Sequence, residues 1–599
     1  MDRDKQKAGT TRLAIAIVGS ALILGGSAWI QHKYFPQSFP VKNASVNSPQ
    51  DKAIQSELKE SATGFLTSTT SRETVSKKEE SPRIQISGKM LKGSIRLRGA
   101  EIDDLISLKY RETLDKNSPY VRLLSAEDSK TPTYVSIGWK QNLENQNVKI
   151  PTSETLWQAD NTLLEAGGKP VDLSWNNGEG LTFKIKISLD EQYMFNVQQE
   201  IVNNSQKNIT LQPYQMVHRN YLPANTGSMT EYLGPIGVSD GKLKDMSYKD
   251  IKKKSEASGN IAWSNSGAGG WGGIADKYWL VAAGVPQSQQ MTLSYAHLPS
   301  VKENGDYQVS LAMPALVTPS NATSKIETYV YAGPKSSPIL SHYEKSCGLK
   351  SFDSAIDFGW FSFLTRPILY LLHYLYGFIG NFGLALMALT VIVKIILFPL
   401  ASKAAVSAAR MKLLAPKMAE IKKQYQSDPK TMNQKVMGLY REEKVNPAAG
   451  CLPILIQAPI FFCLYKMLNM SFDERQAPFF GWIKDLSVPD PTNIFNLFGL
   501  LPFDPTVVSP FLHVSLWGLA LGLTFWMMQR QTMVSLDPAQ ARIMQFMPLV
   551  YVFIMSDFPA GLLVYYTWNN VLTYLQQAYI QRRTVLPVPV KGGVIEGKK

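Results

Sequence analysis

Cysteine is scarce in this chain: Cys347, Cys451 and Cys463 are the whole supply, and no two form a CxxC pair. That argues against a disulfide framework and against a cysteine zinc site. His32, His218, His297, His342, His373 and His513 stand scattered, without HxxxH or HExxH spacing, so no catalytic metal is expected. No G-x-x-x-x-G-K-[ST] loop occurs, which leaves no P-loop nucleotide site. No cofactor is expected. Long apolar runs dominate residues 355–585, although the whole chain carries a net charge of +14. A basic balance fits DNA or a membrane protein that keeps Lys and Arg on its cytoplasmic side. The placement of the charges decides against DNA.

A spanning helix needs about 20 mostly apolar residues. Candidate spans lie at Leu13–Ile30, Phe382–Leu400, Gly450–Leu468, Phe511–Met528, Ile543–Ser556 and Leu562–Ile580. The first follows Arg3, Lys5, Lys7 and Arg12 and has a rival reading as a signal peptide. Its length, with Trp29 and Tyr34 beside it, favours an uncleaved anchor over residues 1–35. The segment 401–447 holds Lys403, Arg410, Lys412, Lys417, Lys422, Lys423, Lys430, Lys435, Arg441 and Lys444. The segment 471–510 holds Asp473, Glu474, Asp485, Asp490 and Asp504 against Arg475 and Lys484. The positive-inside rule therefore predicts six transmembrane helices, both termini cytoplasmic and residues 36–381 outside. A basic cytoplasmic tail occupies 581–599.

Residues 36–83 are polar and read as a disordered linker. Over 84–345 the period changes to two. Leu181, Phe183, Ile185, Ile187 and Leu189 alternate with polar residues, and similar runs occur at Tyr134–Trp139, Met194–Ile201, Tyr278–Val285, Met291–His297, Tyr307–Leu311 and Ile326–Tyr331. This spacing predicts a periplasmic β-sandwich. Residues 346–381, rich in Phe, Trp and Tyr, predict an interfacial amphipathic helix, with a core helix of the sandwich as the rival. A five-helix core would fill 382–580. In its loop 401–447, Met411, Leu414, Met418, Ile421 and Tyr425 form one apolar stripe and Met432, Val436 and Leu439 a second. They predict a cytoplasmic helical hairpin of two short helices, the second capped by Asp428-Pro429. Such a hairpin is a basic solvated loop or a docking arm for a ribosome or nascent chain.

Lys394 is the functional candidate, because it lies inside the Phe382–Leu400 span. A charge near the bilayer centre costs about 2.5–3.5 kcal/mol on insertion scales and usually faces a bundle interior or water. Its rival reading is a side chain that snorkels toward the headgroups. Thr390 lies one turn away on the same face, Gln457 in the next span, and Tyr566 and Asn570 in the last. Together they would line one hydrophilic substrate groove.

Several motifs then bear on identity. They are Lys394-Ile395-Ile396-Leu397-Phe398-Pro399-Leu400, Ala415-Pro416-Lys417, Glu443-Lys444-Val445-Asn446-Pro447, and Gly450-Cys451-Leu452-Pro453 running to Gln457-Ala458-Pro459-Ile460-Phe461. Arg475-Gln476-Ala477-Pro478-Phe479, Trp482-Ile483-Lys484-Asp485-Leu486, Phe558-Pro559-Ala560-Gly561-Leu562 and Tyr565-Tyr566 complete the set. In this order the chain resembles the YidC-type membrane protein insertases of Gram-negative bacteria. The resemblance implies no enzyme activity, a β-supersandwich as the periplasmic domain, an inner-membrane location, and nascent membrane proteins, the ribosome, the Sec translocon and lipids as partners. It departs from the family in carrying Lys394 where arginine is frequent, which keeps the charge but loses the planar fork. The stretch Pro491–Pro510 is longer than in well-known members. Two other functions stay open: a channel or secondary transporter using Lys394 as its substrate site, and a tethered carbohydrate enzyme. The absence of an inverted repeat argues against the transporter.

Overall fold

The computed structural model describes residues 81–141, 148–223, 232–299, 305–358, 362–426, 428–443, 452–470, 472, 475–501, 503–508, 512–532 and 538–583. The expected anchor, most of the linker and most of the basic tail lie outside them. The described chain divides into two compact units. One runs to Arg111 and resumes over Tyr120–Ala355, and the other holds the helices from Ile356 onward.

The first unit is β-rich, with eighteen strands among the described residues. The alternation at 181–189 does what its period dictates: strand Leu181–Leu189 buries its five apolar residues and turns Lys184 and Lys186 outward. It pairs antiparallel with Met194–Asn203, which pairs in turn with Ala322–Pro334. Ile209–Arg219 lies between Thr133–Gln141 and Asp306–Ala312. Phe183, Phe195, Trp271, Tyr331 and Phe352 fill the interior. Trp271 and Tyr331 meet Phe352 edge-on, with ring centroids 5.2 and 5.3 Å away. Full burial of one such side chain contributes about 1.5–3 kcal/mol. Arg219, also buried, holds Asp276 by two parallel bonds of 2.6 and 2.8 Å and donates to the Tyr248 hydroxyl. Burial works against its charge, but Asp276 outweighs that and keeps the guanidinium pKa above its ordinary value.

Two differences from the sequence expectation have physical causes. The runs Tyr278–Val285 and Met291–His297 belong to one long strand, Trp279–Leu298, which stays extended through Pro286. Its first part pairs with Ala322–Pro334 and its last part with Asp306–Ala312. The strand beside it, Ile261–Ala275, is glycine-rich and gave no alternation to read. Close approach demands the glycines there: a Cβ on Gly272 would fall 2.2 Å from Leu293 Cδ1. Two helices, α1 (Tyr248–Ala257) and α2 (Ser337–Ser346), complete this unit.

The second unit contains α3 (Ser362–Ile379), α4 (Phe382–Gln424), α5 (Pro429–Glu442), α6 (Leu452–Met470), α7 (Leu516–Thr532), α8 (Pro538–Ser556) and α9 (Ala560–Arg583). The aromatic stretch 346–381 therefore divides. Its start joins the sheet unit through Phe352, whereas α3 packs on α4 and α6 and is no core helix of the sheets. The segment Phe382–Ser407 is the one described helix long and apolar enough to cross a membrane, with mean hydropathy 2.5; Gln545–Ser556 is a shorter apolar helix.

Helix α4 does not stop at Leu400. Ala401, Ala404, Ala405, Ala408 and Ala409 are strong helix formers and carry it through to Gln424. The expected hairpin is thus the far half of α4 folded against α5. Leu414 and Met418 are buried, and Lys417 pairs with Glu443 at 2.9 Å. Asp428 caps α5 by accepting from the backbone N–H of Lys430 and Thr431. Bonds from Thr431 and Lys430 hold its carboxyl below the usual carboxylate range.

Helix α7 meets α8 through Gly518 and Gly522, one turn apart. A Cβ there would fall 2.4 Å from Ser556 Oγ and 2.2 Å from Val552 Cγ2. Small residues at this spacing let helix backbones approach where lipid offers no hydrophobic drive.

Candidate functional site

Polarity in the helical unit is arranged opposite to that of a water-soluble domain. Thr390, Asn569, Asn570, Gln529, Ser515 and Ser556 are buried, whereas Phe378, Ile395, Ile396, Leu523, Phe546, Phe553 and Leu575 are exposed. Exposed apolar area on this scale marks a lipid or partner surface.

Lys394 stands about 18 Å along α4 from Phe382 and about 9 Å before Leu400, at 1.5 Å per residue. Its ammonium donates to Thr573 Oγ1 at 2.7 Å on α9, which runs parallel to α4. Thr573 in turn donates to the Asn569 carbonyl at 2.6 Å. Another link between the helices is Trp568 Nε1 donating to the Met387 carbonyl at 3.2 Å. Beside Lys394 lies a small, partly open recess. Thr390, Lys394, Gln457, Tyr565 and Asn569 give it polar atoms, and Ile368, Leu389, Val393, Leu397, Ile460 and Leu464 give it apolar walls.

Three of the five predicted groove residues thus come together: Thr390, Lys394 and Gln457. The Thr390 hydroxyl donates to the Leu386 carbonyl at 2.8 Å, and Gln457 Nε2 donates to the Tyr565 hydroxyl at 3.2 Å. Tyr566 and Asn570 do not line the recess. Asn570 turns toward α7 and donates to Thr524 Oγ1, while the Tyr566 ring packs on Phe461 at 5.2 Å. Their preceding neighbours, Tyr565 and Asn569, face the recess instead. Tyr565, Asn569 and Thr573 recur every four residues, which is the helical signal for one face. The pair Tyr566 and Asn570 shows the same spacing, so spacing alone did not choose between them. Among the described residues no group of three or more His, Cys, Asp or Glu is placed to hold a metal ion. Neither Cys347 nor Cys463 forms a disulfide.

Residues 374–586 match the family described as 60Kd inner membrane protein, and residues 83–371 match the YidC periplasmic domain. A membrane protein insertase YidC from Granulibacter bethesdensis is 42% identical over 582 residues, covering 96% of this chain and 98% of that one. The protein of the same name from Rickettsia rickettsii is 41% identical over 578 residues, covering 95% and 98%. Among solved structures, an active YidC insertase with its first transmembrane domain resolved aligns with 83% of this chain and 92% of its own, at 18% identity and a TM-score of 0.33. A galactose mutarotase related enzyme from Lactobacillus acidophilus covers 42% of this chain and 97% of its own, at 10% identity and a TM-score of 0.28. Scores this low decide nothing about fold.

Proposed function

The chain belongs to the YidC family of membrane protein insertases, a family of inner-membrane proteins, and we propose that it moves substrates through the recess beside Lys394. The observation that carries this reading is the half-buried ammonium of Lys394, held against α9 among apolar walls and polar hydroxyl and amide groups. A nascent segment must bring its polar flank into a low-dielectric slab before its apolar helix settles in lipid. An Asp at the slab centre costs about 2.5–3.5 kcal/mol. A unit opposite charge at 4 Å contributes about 4 kcal/mol at an effective dielectric of 20. One ammonium therefore offsets one acidic residue. The substrate carboxylate replaces the Thr573 hydroxyl as its partner, so a weaker hydrogen bond is exchanged for a charge-assisted one. Gln457 and Asn569 offer further hydrogen bonds, while Asn570 braces the same helix against α7 and Tyr566 braces it against Phe461 of α6. The substrate's own hydrophobicity then carries it sideways into lipid. No chemical step is required.

The topology that serves this mechanism has six spans, both termini in the cytoplasm, and the β-rich unit, as a β-supersandwich, in the periplasm. The basic segment 401–447 and the acidic segment 471–510 support that placement. Helix α3 would lie in the outer interface, with Tyr370, Tyr374 and Phe378 toward lipid. Lys422, Lys423, Lys430, Lys435 and Arg441 are exposed on the α4–α5 pair and would meet a ribosome that delivers the nascent chain. The protein works alone or beside the Sec translocon.

The test is insertion of a single-span substrate with an acidic flank into proteoliposomes. Lys394→Arg should insert it and Lys394→Glu should not. Equal insertion by wild type and Lys394→Ala on every substrate would leave the ammonium without a role. Passage of small solutes in place of insertion would favour a channel.

A further inference from the structure

The segment between Asp490 and Trp517 is built in two parts. Its base is clamped. Asp490 is fully buried and accepts from Trp482 Nε1, from the backbone N–H and hydroxyl of Thr492, and from the Trp517 N–H. Asn493 Nδ2 donates to the Leu512 carbonyl at 2.7 Å, and the Ile494 N–H donates to the Val514 carbonyl. His513 ties the same base to Asp557, in the turn between α8 and α9. The tip is the reverse of a soluble loop. Residues 491–512 carry one charged side chain, Asp504, and it accepts from Thr506 beside it. Leu500, Val507 and Val508 are 82, 84 and 79% exposed, and Phe495, Leu497, Phe498 and Phe503 are exposed as well.

We infer that residues 494–501 and 503–508 form a wedge that enters the bilayer surface at the end of the bundle marked by the α8–α9 turn. Three observations choose lipid as the occupant. The base of the loop leads directly into α7, whose Leu523 and Trp526 are exposed apolar residues too. Its backbone is bonded within itself, by Phe498 N–H to the Asn493 carbonyl, Leu501 N–H to Asn496, and Val508 N–H to Pro505. That is what a non-helical segment needs before it leaves water. Trp482 and Phe480 are exposed nearby, and aromatic rings favour the headgroup level. Such a wedge would thin or disorder lipid beside α7, at one end of the bundle through which substrates leave.

The inference rests on the helices being lipid-embedded, and the experiment separates the two claims. Full-length protein carrying Cys347→Ala, Cys451→Ala and Cys463→Ala receives a nitroxide at Leu500→Cys, Val507→Cys, Phe553→Cys or Leu243→Cys. Relaxation by oxygen and by a water-soluble nickel chelate is read in nanodiscs, on preparations whose insertion activity is retained. Phe553 is the lipid reference, and Leu243, exposed in the sheet unit, is the water reference. The expected result is a ratio at Leu500 and Val507 shifted from the Leu243 value toward the Phe553 value. Water-like ratios at both, with Phe553 in lipid, overturn the wedge and leave the embedded bundle standing. Shielding from both reagents, with dipolar broadening between labelled copies, also overturns it and assigns the tip to a protein contact. Water-like ratios at Phe553 too would overturn both claims.

Discussion

The two units solve burial in opposite ways. In the sheet unit Phe183, Trp271 and Tyr331 go inside, while Lys184 and Lys186 go out. In the helical unit Thr390, Asn569 and Ser556 go inside, while Ile396, Phe546 and Phe553 go out. Each arrangement is unfavourable in the other's solvent. The pair of units therefore records two environments within one chain, and the proposed site lies where the interior is polar. A buried hydroxyl or amide is costly unless it is bonded, so its retention in α4 and α9 points to a purpose beyond packing.

The strongest attack on this comparison places charge in the recess. Lys394→Glu should lower insertion of an acidic-flank substrate by about tenfold or more, because 1.4 kcal/mol is a factor of ten. Lys394→Arg should stay near wild type, and a basic-flank substrate should reverse the order. Next, the largest expected loss of stability lies in the sheet unit. Phe183→Ala should cost about 3–5 kcal/mol, read by denaturant unfolding. Arg219→Ala should cost less, because Asp276 is 32% exposed and water takes up part of the lost pairing. The sharpest test applies one substitution to both units. Ile396→Asp should disfavour membrane integration by about 2.5–3.5 kcal/mol. Leu243→Asp, also exposed but in the sheet unit, should change stability by about 0.5 kcal/mol or less. If both substitutions are silent, the contrast in solvent is wrong.

Smaller effects refine the helical unit. Gly522→Val should separate α7 from α8, detected as lower thermal stability in detergent, whereas Gly522→Ala should do less. Asp428 gives a pH signature. Its carboxyl titrates below the usual range in the folded protein, so the cap's contribution is present above the ordinary carboxylate pKa and is lost as pH falls through the lowered one. Helicity of the α4–α5 pair should hold at neutral pH and fall only in strong acid. Asp428→Ala should show the loss at every pH.

Much of this architecture was legible in the residues. The period of two at 181–189 specified a strand and the face it buries. The cap at Asp428 and the stripe through Leu414 and Met418 specified a paired helix. The Gly-rich strand 261–275 was not legible, because glycine has no side chain to alternate and its cause, Leu293 pressed against Gly272, is remote in sequence. The length of α4 was missed because hydropathy ends at Leu400 whereas alanine propensity does not. At the site, Lys394 announced itself by the cost of its charge. Its partner Thr573 did not, since a hydroxyl in a helix is unremarkable until the facing helix is known. Helix α9 falls short of a simple span criterion for the same reason that it matters: Asn569 and Asn570 lower its hydropathy.

The central claim is that the recess offers the Lys394 ammonium to the acidic flank of a substrate. Lys394→Cys in proteoliposomes, with the other three cysteines replaced, addresses it directly. An aminoethyl thiosulfonate delivered from water should react at position 394, restore an ammonium there, and recover insertion of the acidic-flank substrate. A thiol that resists this reagent yet reacts with a lipid-soluble one, in a protein that inserts substrates regardless, would contradict the account.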